Sequence, residues 1–336
     1  MSHQRQKIAV IGAGVIGLTT AVCLQDTYPS ADITIIADRF GTDTVSTIAA
    51  GLLRITKTHT PGTPADVLGR WSRDSFEFFD NLAYSAESPH CGIAPQSVTH
   101  VFYEKPEEEP FYKNFVLGYR ELSEKELKHF PGFKFGVNIL TTIMEGNKFL
   151  PWLTNKFKSR GGRIEVCKLS SLEPLVDKYD VAVTCCALGA RELLNDKSVY
   201  PVRGQVIRVE APWLKFSFFA QNGVYIIVGK NYTTVGGVRQ VNDWNLEEDP
   251  KDTEMIWKKA VEFMPSLRDA KRLGVYVGLR PARRPVRVEK EVMNFGSKTL
   301  KVVHNYGHGA NGVGLSWGTA KHATELVGEF LQKSKL

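Results

Sequence analysis

The feature that most constrains the fold is a glycine-rich turn near the amino terminus. Lys7 to Ile11 is a short apolar run rich in β-branched residues, which is typical of a buried parallel strand. It runs into the sequence GAGVIG at residues 12–17, after which Leu18 to Gln25 reads as a helix with one apolar face. A second apolar strand, Asp32 to Ala37, ends at Asp38. These segments predict a strand, a tight turn, a helix and a second strand.

Each glycine of the turn has a physical task in binding a dinucleotide. Gly12 permits the tight turn, Gly14 lets a pyrophosphate approach the backbone, and Gly17 lets the helix pack against the strand. The helix amino terminus offers free N–H groups and a positive dipole end to the phosphates. Asp38 follows Gly17 by 21 residues, where an acid binds the adenosine ribose. An isolated glycine motif would fit an ordinary turn, but this combination predicts FAD or NAD and disfavours NADP.

Composition argues against several other classes of protein. The chain has 336 residues, a size typical of two domains, and a net charge of +7. Its Lys and Arg residues are spread along the chain without a block of five, which argues against nucleic-acid binding. The positive net charge suits an anionic cofactor and an anionic substrate. No membrane span or secretory signal is recognisable. The five cysteines lack zinc spacing and read as reduced intracellular thiols, so we expect no metal.

The later segments favour FAD over NAD. A nicotinamide dehydrogenase would continue with consecutive βαβ units, but here a hydroxyl-rich loop at 42–47 leads into an irregular region with a predicted helix around Trp71. Strand-like segments return only much later, at 163–166, 180–185 and 300–304. A glycine-rich stretch, 307–314, then precedes a predicted helix from Thr319 to Leu331. Unless 307–314 is a surface loop, its N–H groups would face the flavin of a discontinuous nucleotide domain.

Eight stretches of the sequence together resemble the D-amino-acid oxidase family, which includes the D-aspartate oxidases, over essentially the whole chain. They are VIGAGVIGLTTA (10–21), IIADRF (35–40), AAGLL (49–53), LPWL (150–153), PVRGQV (201–206), VGGVRQVNDWN (235–245), VGLRPARRPVRVE (277–289) and HNYGHGANGVGLSWGTA (304–320). The resemblance implies non-covalent FAD and oxidation of a D-amino acid by hydride transfer from its α-carbon to the flavin. Oxygen then reoxidises the flavin to give hydrogen peroxide, and the imino acid hydrolyses to an oxo acid and ammonia.

The resemblance also implies the fold, which is α/β. It comprises a discontinuous Rossmann-like FAD-binding domain and a substrate domain with a large, mostly antiparallel β-sheet. On this layout the FAD-binding domain is formed by residues 1–50, 141–200 and 275–331. The substrate domain is formed by residues 51–140 and 201–274, and residues 332–336 form a separate tail.

Four residues match family positions that contact the substrate, namely Arg280, Tyr225, Ala310 and Arg239. Arg280 corresponds to the arginine that pairs with the α-carboxylate, a task suited to the two parallel N–H donors of a guanidinium. Tyr225 corresponds to the tyrosine that adds a hydrogen bond to the same carboxylate. Ala310 corresponds to the position whose backbone carbonyl accepts a hydrogen bond from the substrate amine. The alternative interpretations are that Arg280 is a surface arginine and that Tyr225 belongs to the apolar core.

Arg239 indicates the class of substrate. Relatives that act on acidic substrates carry arginine here, whereas those that act on neutral substrates carry an uncharged residue. An arginine in a closed apolar pocket is unfavourable unless it meets an anion, so we expect the side-chain carboxylate of D-aspartate or D-glutamate there. A second basic residue of the acidic-substrate relatives aligns near Phe219 and is missing, which leaves Lys215 or Arg54 as its replacement. Other readings are a neutral D-amino-acid oxidase, a glycine or sarcosine oxidase, an outward-facing Arg239, and an inactive flavoprotein.

The remaining matched positions are expected to hold FAD. They belong to the first glycine turn, the second strand end, the hydroxyl-rich loop, the AAGLL segment, two later strand ends and the carboxyl-terminal glycine stretch. These residues are Gly12, Gly14, Val15, Ile16, Gly17, Asp38, Arg39, Thr44, Ser46, Thr47, Gly51, Leu52, Val166, Gly189, Arg280, Gly309, Asn311, Gly312, Val313 and Gly314. The 307–314 stretch also carries His308, which we expect beside the flavin.

The last three residues, Ser334-Lys335-Leu336, form a tripeptide that import receptors of peroxisomes recognise at a carboxyl terminus. The alternative is a chance match in a short polar tail. Because peroxisomes contain peroxide-producing enzymes, the sequence predicts a location in the peroxisomal matrix. The expected partners are thus an acidic D-amino acid, oxygen and this receptor, without nucleic acid or membrane.

Overall fold

The computed structural model describes residues 5–332 of the chain. The helices are α1 (Val15–Thr27), α2 (Ala65–Ala83), α3 (Ser88–Cys91), α4 (Glu124–Leu127), α5 (Gly146–Ser159), α6 (Ala190–Leu193), α7 (Pro250–Phe263) and α8 (Gly312–Gln332). The tripeptide Ser334-Lys335-Leu336 lies outside the described residues. No helix within 5–332 has the length and apolar character needed to cross a membrane.

Strands from distant parts of the chain form one 14-stranded sheet. They are β1 (Lys7–Ile11), β2 (Asp32–Ala37), β3 (Ile93–Phe102), β4 (Gly118–Glu121), β5 (Phe135–Met144), β6 (Arg163–Val166), β7 (Val181–Thr184), β8 (Tyr200–Glu210), β9 (Ser217–Ala220), β10 (Tyr225–Val228), β11 (Thr233–Gly236), β12 (Gln240–Val241), β13 (Lys271–Phe295) and β14 (Lys298–His308). The order is β4-β5-β3-β9-β10-β11-β8-β13-β14-β7-β1-β2-β6, and β12 pairs with β8.

The sheet has a parallel end and a mostly antiparallel remainder. Strands β14, β7, β1, β2 and β6 run parallel to one another. The other pairs are antiparallel except β3 with β9. This confirms the α/β fold class, and the five parallel strands come from three separate stretches of the chain. The exact limits of the two domains stay a prediction.

Two apolar cores support the two ends of the sheet. At the parallel end, Ile8 and Val10 of β1 are fully buried with Leu18 of α1, and α1 packs against α5 and α8. At the antiparallel end, Ile207 of β8 and Ile226 of β10 are fully buried in a second core. Full burial of one such side chain contributes about 1.5–3 kcal/mol to the free energy of unfolding. The two cores therefore fix the positions of the strand ends that lie between them.

The carboxyl-terminal glycine stretch differs from the sequence prediction. Helix α8 begins at Gly312 rather than at Thr319, and β14 extends to His308. The reason is packing: a Cβ on Gly318 would lie 2.0 Å from the carbonyl oxygen of Trp71, and one on Gly314 would lie 3.0 Å from Ile55. These glycines let α8 approach its neighbours closely, and that contact outweighs their low helix propensity. The amino terminus of α8 is therefore at the glycine stretch itself.

Candidate active site

One large cavity of about 1430 Å³ lies between the parallel and antiparallel parts of the sheet. It exceeds the volume of an ordinary small-molecule pocket, which leaves room for a cofactor together with a substrate. Most of the predicted site residues line it, namely Gly12, Gly14, Val15, Ile16, Asp38, Arg39, Thr44, Ser46, Gly51, Leu52, Gly189, Tyr225, Arg239, Arg280, Gly309, Ala310, Asn311, Gly312, Val313 and Gly314. The fold therefore brings together residues from opposite ends of the sequence.

Three predicted cofactor residues lie beside this cavity rather than in its wall. Gly17 packs the helix onto the turn, since a Cβ there would lie 1.9 Å from the carbonyl oxygen of Gly12. The Thr47 hydroxyl donates a hydrogen bond of 3.0 Å to the carbonyl of Thr44, which shapes the hydroxyl-rich loop. Val166 is 76% exposed at the end of β6. Gly17 and Thr47 therefore shape the backbone around the cavity, whereas the Val166 side chain points to solvent.

The amino terminus of α1 forms one end of the cavity. A Cβ on Gly12 would lie 2.4 Å from the carbonyl oxygen of Cys185, so this position requires glycine. The Ser46 hydroxyl accepts a hydrogen bond of 3.1 Å from the N–H of Val15, which ties the hydroxyl-rich loop to the helix. Asp38, at the end of β2, lines the same part of the cavity. This is the arrangement that the sequence predicted for an adenosine diphosphate group.

The amino terminus of α8 opens on the same cavity. Gly309 to Asn311 form a single tight turn before the helix, and the amide of Asn311 donates a hydrogen bond of 2.8 Å to the carbonyl of Thr56. His308 is buried with its Nε2 at 3.1 Å from the Thr319 hydroxyl, and burial lowers its pKa to about 3. His308 is therefore neutral at physiological pH.

The residues around the cavity fit FAD. Two helix amino termini face it, and neither α1 nor α8 has an acidic residue in its first turn to neutralise the dipole. The side-chain oxygen of Asn305, in the cavity wall, is buried without a hydrogen-bond partner. An anionic dinucleotide with a polar ring system would match these donors and this acceptor. Within residues 5–332, no group of three or more potential ligands is placed to hold a metal ion.

Arg280 and Tyr225 meet on the part of the cavity wall that the antiparallel strands β13 and β10 form, whereas the first glycine turn follows β1 of the parallel part. Arg280 donates hydrogen bonds of 3.3 Å to the carbonyls of Arg203 and Val238. The guanidinium also interacts with the Tyr225 hydroxyl, although burial is the larger influence and raises the pKa of this tyrosine. A neutral phenol and a guanidinium, side by side, form a suitable site for a carboxylate.

Glycines that the sequence analysis did not assign make room for these two side chains. A Cβ on Gly204 of β8 would lie 2.3 Å from a guanidinium nitrogen of Arg280. Gly236 of β11 stands directly opposite Tyr225, and a Cβ there would lie 2.3 Å from the phenol oxygen. Both glycines belong to stretches noted for the family resemblance, but only the strand register shows what they do.

Arg239 lies at the mouth of the cavity. One of its guanidinium nitrogens donates a hydrogen bond of 3.3 Å to the carbonyl of Thr58, and the residue is exposed. The expectation that Arg239 is enclosed in an apolar pocket is therefore wrong, because β11 ends at Gly236 and the Arg239 side chain, beyond that strand end, is exposed. It nevertheless lines the cavity that contains Arg280 and Tyr225.

The structure distinguishes the two candidate replacements for the missing base. Lys215 is exposed, and its ammonium donates a hydrogen bond of 2.6 Å to the carbonyl of Pro212, away from the cavity. Arg54 lines the cavity, with its guanidinium carbon 4.1 Å from the centre of the Phe219 ring. Of the two, only Arg54 can reach a ligand in the cavity.

His59 is a further member of the site that sequence reasoning missed. Burial and then the positive charges of Arg239, Arg54 and Arg280 lower its pKa to about 4, so the imidazole is neutral. It also interacts with the side chain of Asn311. No local motif marks a lone histidine in the segment THTPG, so its position among three arginines depends on tertiary contacts alone.

Comparisons with known proteins identify the family of the chain. A family model described as FAD dependent oxidoreductase matches residues 7–326. Human D-aspartate oxidase is 41% identical over 96% of this chain and 95% of its own length. D-amino acid oxidase of Dugesia ryukyuensis is 37% identical over 98% and 99%. Glycine oxidase of Bacillus cereus shares the fold, with a TM-score of 0.76, 18% identity and coverage of 97% and 95%. The chain therefore belongs to the family of FAD-dependent oxidoreductases that contains the D-amino-acid and D-aspartate oxidases.

Proposed function

We propose that the protein oxidises acidic D-amino acids, D-aspartate and D-glutamate, with FAD and oxygen. One amino acid, one oxygen molecule and one water molecule yield the oxo acid, ammonia and hydrogen peroxide. The observation that carries the proposal is the excess of positive charge around Tyr225, where Arg54, Arg239 and Arg280 line the cavity and none of them forms an ion pair with a carboxylate of residues 5–332. A substrate with two carboxylates matches this excess of guanidinium groups.

The protein's own residues orient the substrate in this proposal. Arg280 and Tyr225 bind the α-carboxylate, and the backbone carbonyl of Ala310 accepts a hydrogen bond from the neutral amine. FAD, held at the amino termini of α1 and α8, would supply the redox chemistry of the reaction. The side chains thus contribute orientation and electrostatics and require no separate general base.

Oxidation of neutral D-amino acids is the alternative. It is favoured by the exposure of Arg239, whose charge solvent can stabilise without a substrate carboxylate. It is also consistent with relatives named D-amino acid oxidase, such as that of Dugesia ryukyuensis. The relatives named D-aspartate oxidase, from Homo sapiens and Caenorhabditis elegans, support the acidic substrate.

A peroxide assay on four substrates side by side tests the proposal. D-aspartate, D-glutamate, N-methyl-D-aspartate and D-alanine share the α-carboxylate, but D-alanine lacks the second one. We expect higher kcat/KM for the three acidic compounds than for D-alanine. Equal or higher values for D-alanine would favour the neutral-substrate oxidase, and no peroxide with any of them would contradict oxidase activity.

Peroxisomal import through Ser334-Lys335-Leu336 stays a prediction. Its support is the tripeptide itself and the peroxide that the proposed reaction produces. A fluorescent protein fused ahead of the chain should accumulate in peroxisomes, and the same fusion without the last three residues should not.

A further inference from the structure

Arg54 is directed into the cavity by the local backbone. The N–H of Leu53 donates a hydrogen bond of 2.9 Å to the carbonyl of Thr142, and the Thr141 hydroxyl donates one of 2.7 Å to the carbonyl of Leu53. These contacts hold the segment in an extended conformation along β5, in which neighbouring side chains alternate between faces. Leu53 is fully buried in the core, whereas Leu52 and Arg54 line the cavity.

The guanidinium of Arg54 has aromatic neighbours in place of a counter-ion. Its carbon lies 4.1 Å from the ring centre of Phe219 and 5.8 Å from that of Tyr112. Its Nε is buried without a hydrogen-bond partner. Burial lowers its pKa, and the Tyr112 hydroxyl opposes this effect. His100 adds no charge, because burial lowers its own pKa to about 3.

Such a cation is unfavourable in the protein alone. Contact with an aromatic face recovers part of the lost hydration, but a buried charge normally requires an ion pair. Among residues 5–332, no carboxylate forms an ion pair with Arg54 or shifts its pKa. Its position on the cavity wall means that an anion entering the cavity can supply the missing partner.

The position of Arg54 identifies which anion this is. Phe219 stands opposite Tyr225 in the sheet, and the two rings stack with centres 5.5 Å apart. Arg54 therefore packs on the ring beside the substrate-end tyrosine, whereas the turn expected to bind the cofactor's phosphates is at Gly12 and Gly14. A carboxylate of the substrate is the anion available at this end.

We propose that Arg54 is the principal specificity residue, binding the side-chain carboxylate of an acidic D-amino acid while Arg280 binds the α-carboxylate. This assignment rests on the proposed acidic substrate, and it names the residue that binds the side-chain carboxylate of that substrate. Arg239, exposed at the mouth, contributes less because solvent screens its charge. Arg54, enclosed against Phe219, forms a stronger charge-assisted contact.

Substitution in the FAD-loaded protein tests the assignment. Arg54→Gln removes the positive charge, and Arg54→Lys retains the charge but lacks the planar guanidinium group. Lys215→Gln is the matched control, because it removes an exposed charge outside the cavity. We expect Arg54→Gln to lower kcat/KM on D-aspartate by roughly 10- to 150-fold, the range of one charge-assisted hydrogen bond. Activity on D-alanine should be unchanged or higher. Arg54→Lys should fall between wild type and Arg54→Gln, and Lys215→Gln should behave as wild type.

Ligand-induced thermal stabilisation gives a readout independent of turnover. Succinate and butyrate are the probes, because they differ by one carboxylate and neither has an amine to oxidise. Succinate should raise the Tm of the wild-type holoenzyme more than butyrate does, and Arg54→Gln should abolish this difference. The unliganded Arg54→Gln holoenzyme should have an equal or higher Tm, since an unpaired buried charge has been removed.

The outcomes separate this inference from the proposed function. Wild type that does not prefer D-aspartate and is not stabilised by succinate would contradict the acidic substrate itself. If wild type prefers D-aspartate but Arg54→Gln keeps that preference, the acidic substrate stands and the assignment to Arg54 is overturned. Failure to fold, or a lower Tm in both Arg54 variants with the preference intact, would make Arg54 a structural residue and overturn the assignment as well.

Discussion

Three arginines line the substrate end of the cavity, and their exposure determines what each can contribute. Arg280 packs across Gly204 beside Tyr225, Arg54 packs on an aromatic ring, and Arg239 is exposed at the mouth. A charge in an enclosed site interacts strongly with a ligand, whereas an exposed charge is screened by water. Substitutions of these three arginines should therefore lower kcat/KM by different factors, and those factors should depend on the substrate.

Arg280→Ala should lower kcat/KM by roughly 100-fold or more on every D-amino acid. All substrates share the α-carboxylate, and two charge-assisted hydrogen bonds together contribute about 3 kcal/mol or more. Steady-state peroxide production on D-aspartate and D-alanine measures the effect. Arg284→Ala is the matched control, because Arg284 is on the same strand but is exposed and outside the cavity wall. Unchanged kcat/KM in Arg280→Ala would remove this residue from the binding site.

Arg239→Ala should have a smaller and more selective effect. Exposed ion pairs contribute about 0.2–1 kcal/mol, so we expect kcat/KM on D-aspartate to fall by about 1.4- to fivefold. D-methionine makes no such ion pair and should be unaffected. Kinetics of both substrates in wild type and variant measure the ratio. An equal fall on both would mean that Arg239 acts through the shape of the cavity mouth rather than through its charge.

Four strands of the antiparallel part of the sheet position the two residues that we propose bind the substrate α-carboxylate. Arg280 of β13 stands opposite Val202 of β8, so that Gly204 is its diagonal neighbour. Tyr225 of β10 stands opposite Gly236 of β11. Each functional side chain thus lies across a neighbouring strand that has no side chain at the point of contact. The register of the strands, rather than any single residue, places the phenol next to the guanidinium.

Gly204→Ala should lower activity on all D-amino acids while the protein still folds and binds FAD. The added methyl would lie 2.3–2.5 Å from guanidinium atoms of Arg280, and that flexible side chain would move to relieve the overlap. Peroxide assays and the visible flavin spectrum measure the two properties separately. Gly69→Ala is the control, because no atom lies within 4 Å of a Cβ there. Full activity in Gly204→Ala would show that the position of Arg280 tolerates displacement.

At the scale of the whole molecule, one continuous sheet joins the dinucleotide end to the substrate end. Strand β13 pairs with β8 on one side and with β14 on the other, and β14 begins the parallel part. A shared sheet fixes the two ends relative to each other, because every strand is hydrogen-bonded to its neighbours. The cavity between them can therefore hold a cofactor and a substrate in a constant relative position.

Acid or heat should release free FAD from the yellow purified protein. The cavity wall contains Cys185 and Cys186, but burial raises the pKa of both thiols, which keeps them protonated and unreactive. Chromatography of the supernatant after precipitation detects the released flavin. Yellow colour retained in the washed precipitate would show a covalent bond.

Acidification should destabilise the folded protein through its buried histidines. Burial lowers the pKa of His59 and His304 to about 4, and that of His100 and His308 to about 3. Between these values and the ordinary 6.5, the unfolded chain binds more protons than the folded one, so stability falls as the pH drops through this window. The Tm with excess FAD should be lower at pH 5 than at pH 7. Equal values would mean that these histidines are protonated in the folded state.

The sequence by itself determined the parts of the molecule whose signals are local. The alternation and turn chemistry around Gly12 predicted β1, α1 and β2, because strand, turn and helix each have a short-range pattern. The resemblance located Arg280 and Tyr225 in the chain. The predicted start of α8 was wrong. Gly314 and Gly318 resemble loop residues in the sequence, but in the structure they allow the helix to pack closely against its neighbours.

Only the tertiary structure decided how the substrate end is assembled. Arg54 and Phe219 are 165 residues apart in the chain, yet sheet order brings the guanidinium onto the ring. The same order places His59 among three arginines and leaves Arg239 exposed. Periodicity reports the conformation of a segment, but burial and charge partners depend on which distant segments pack against it. That is the physical reason why the choice between Arg54 and Lys215 required the fold.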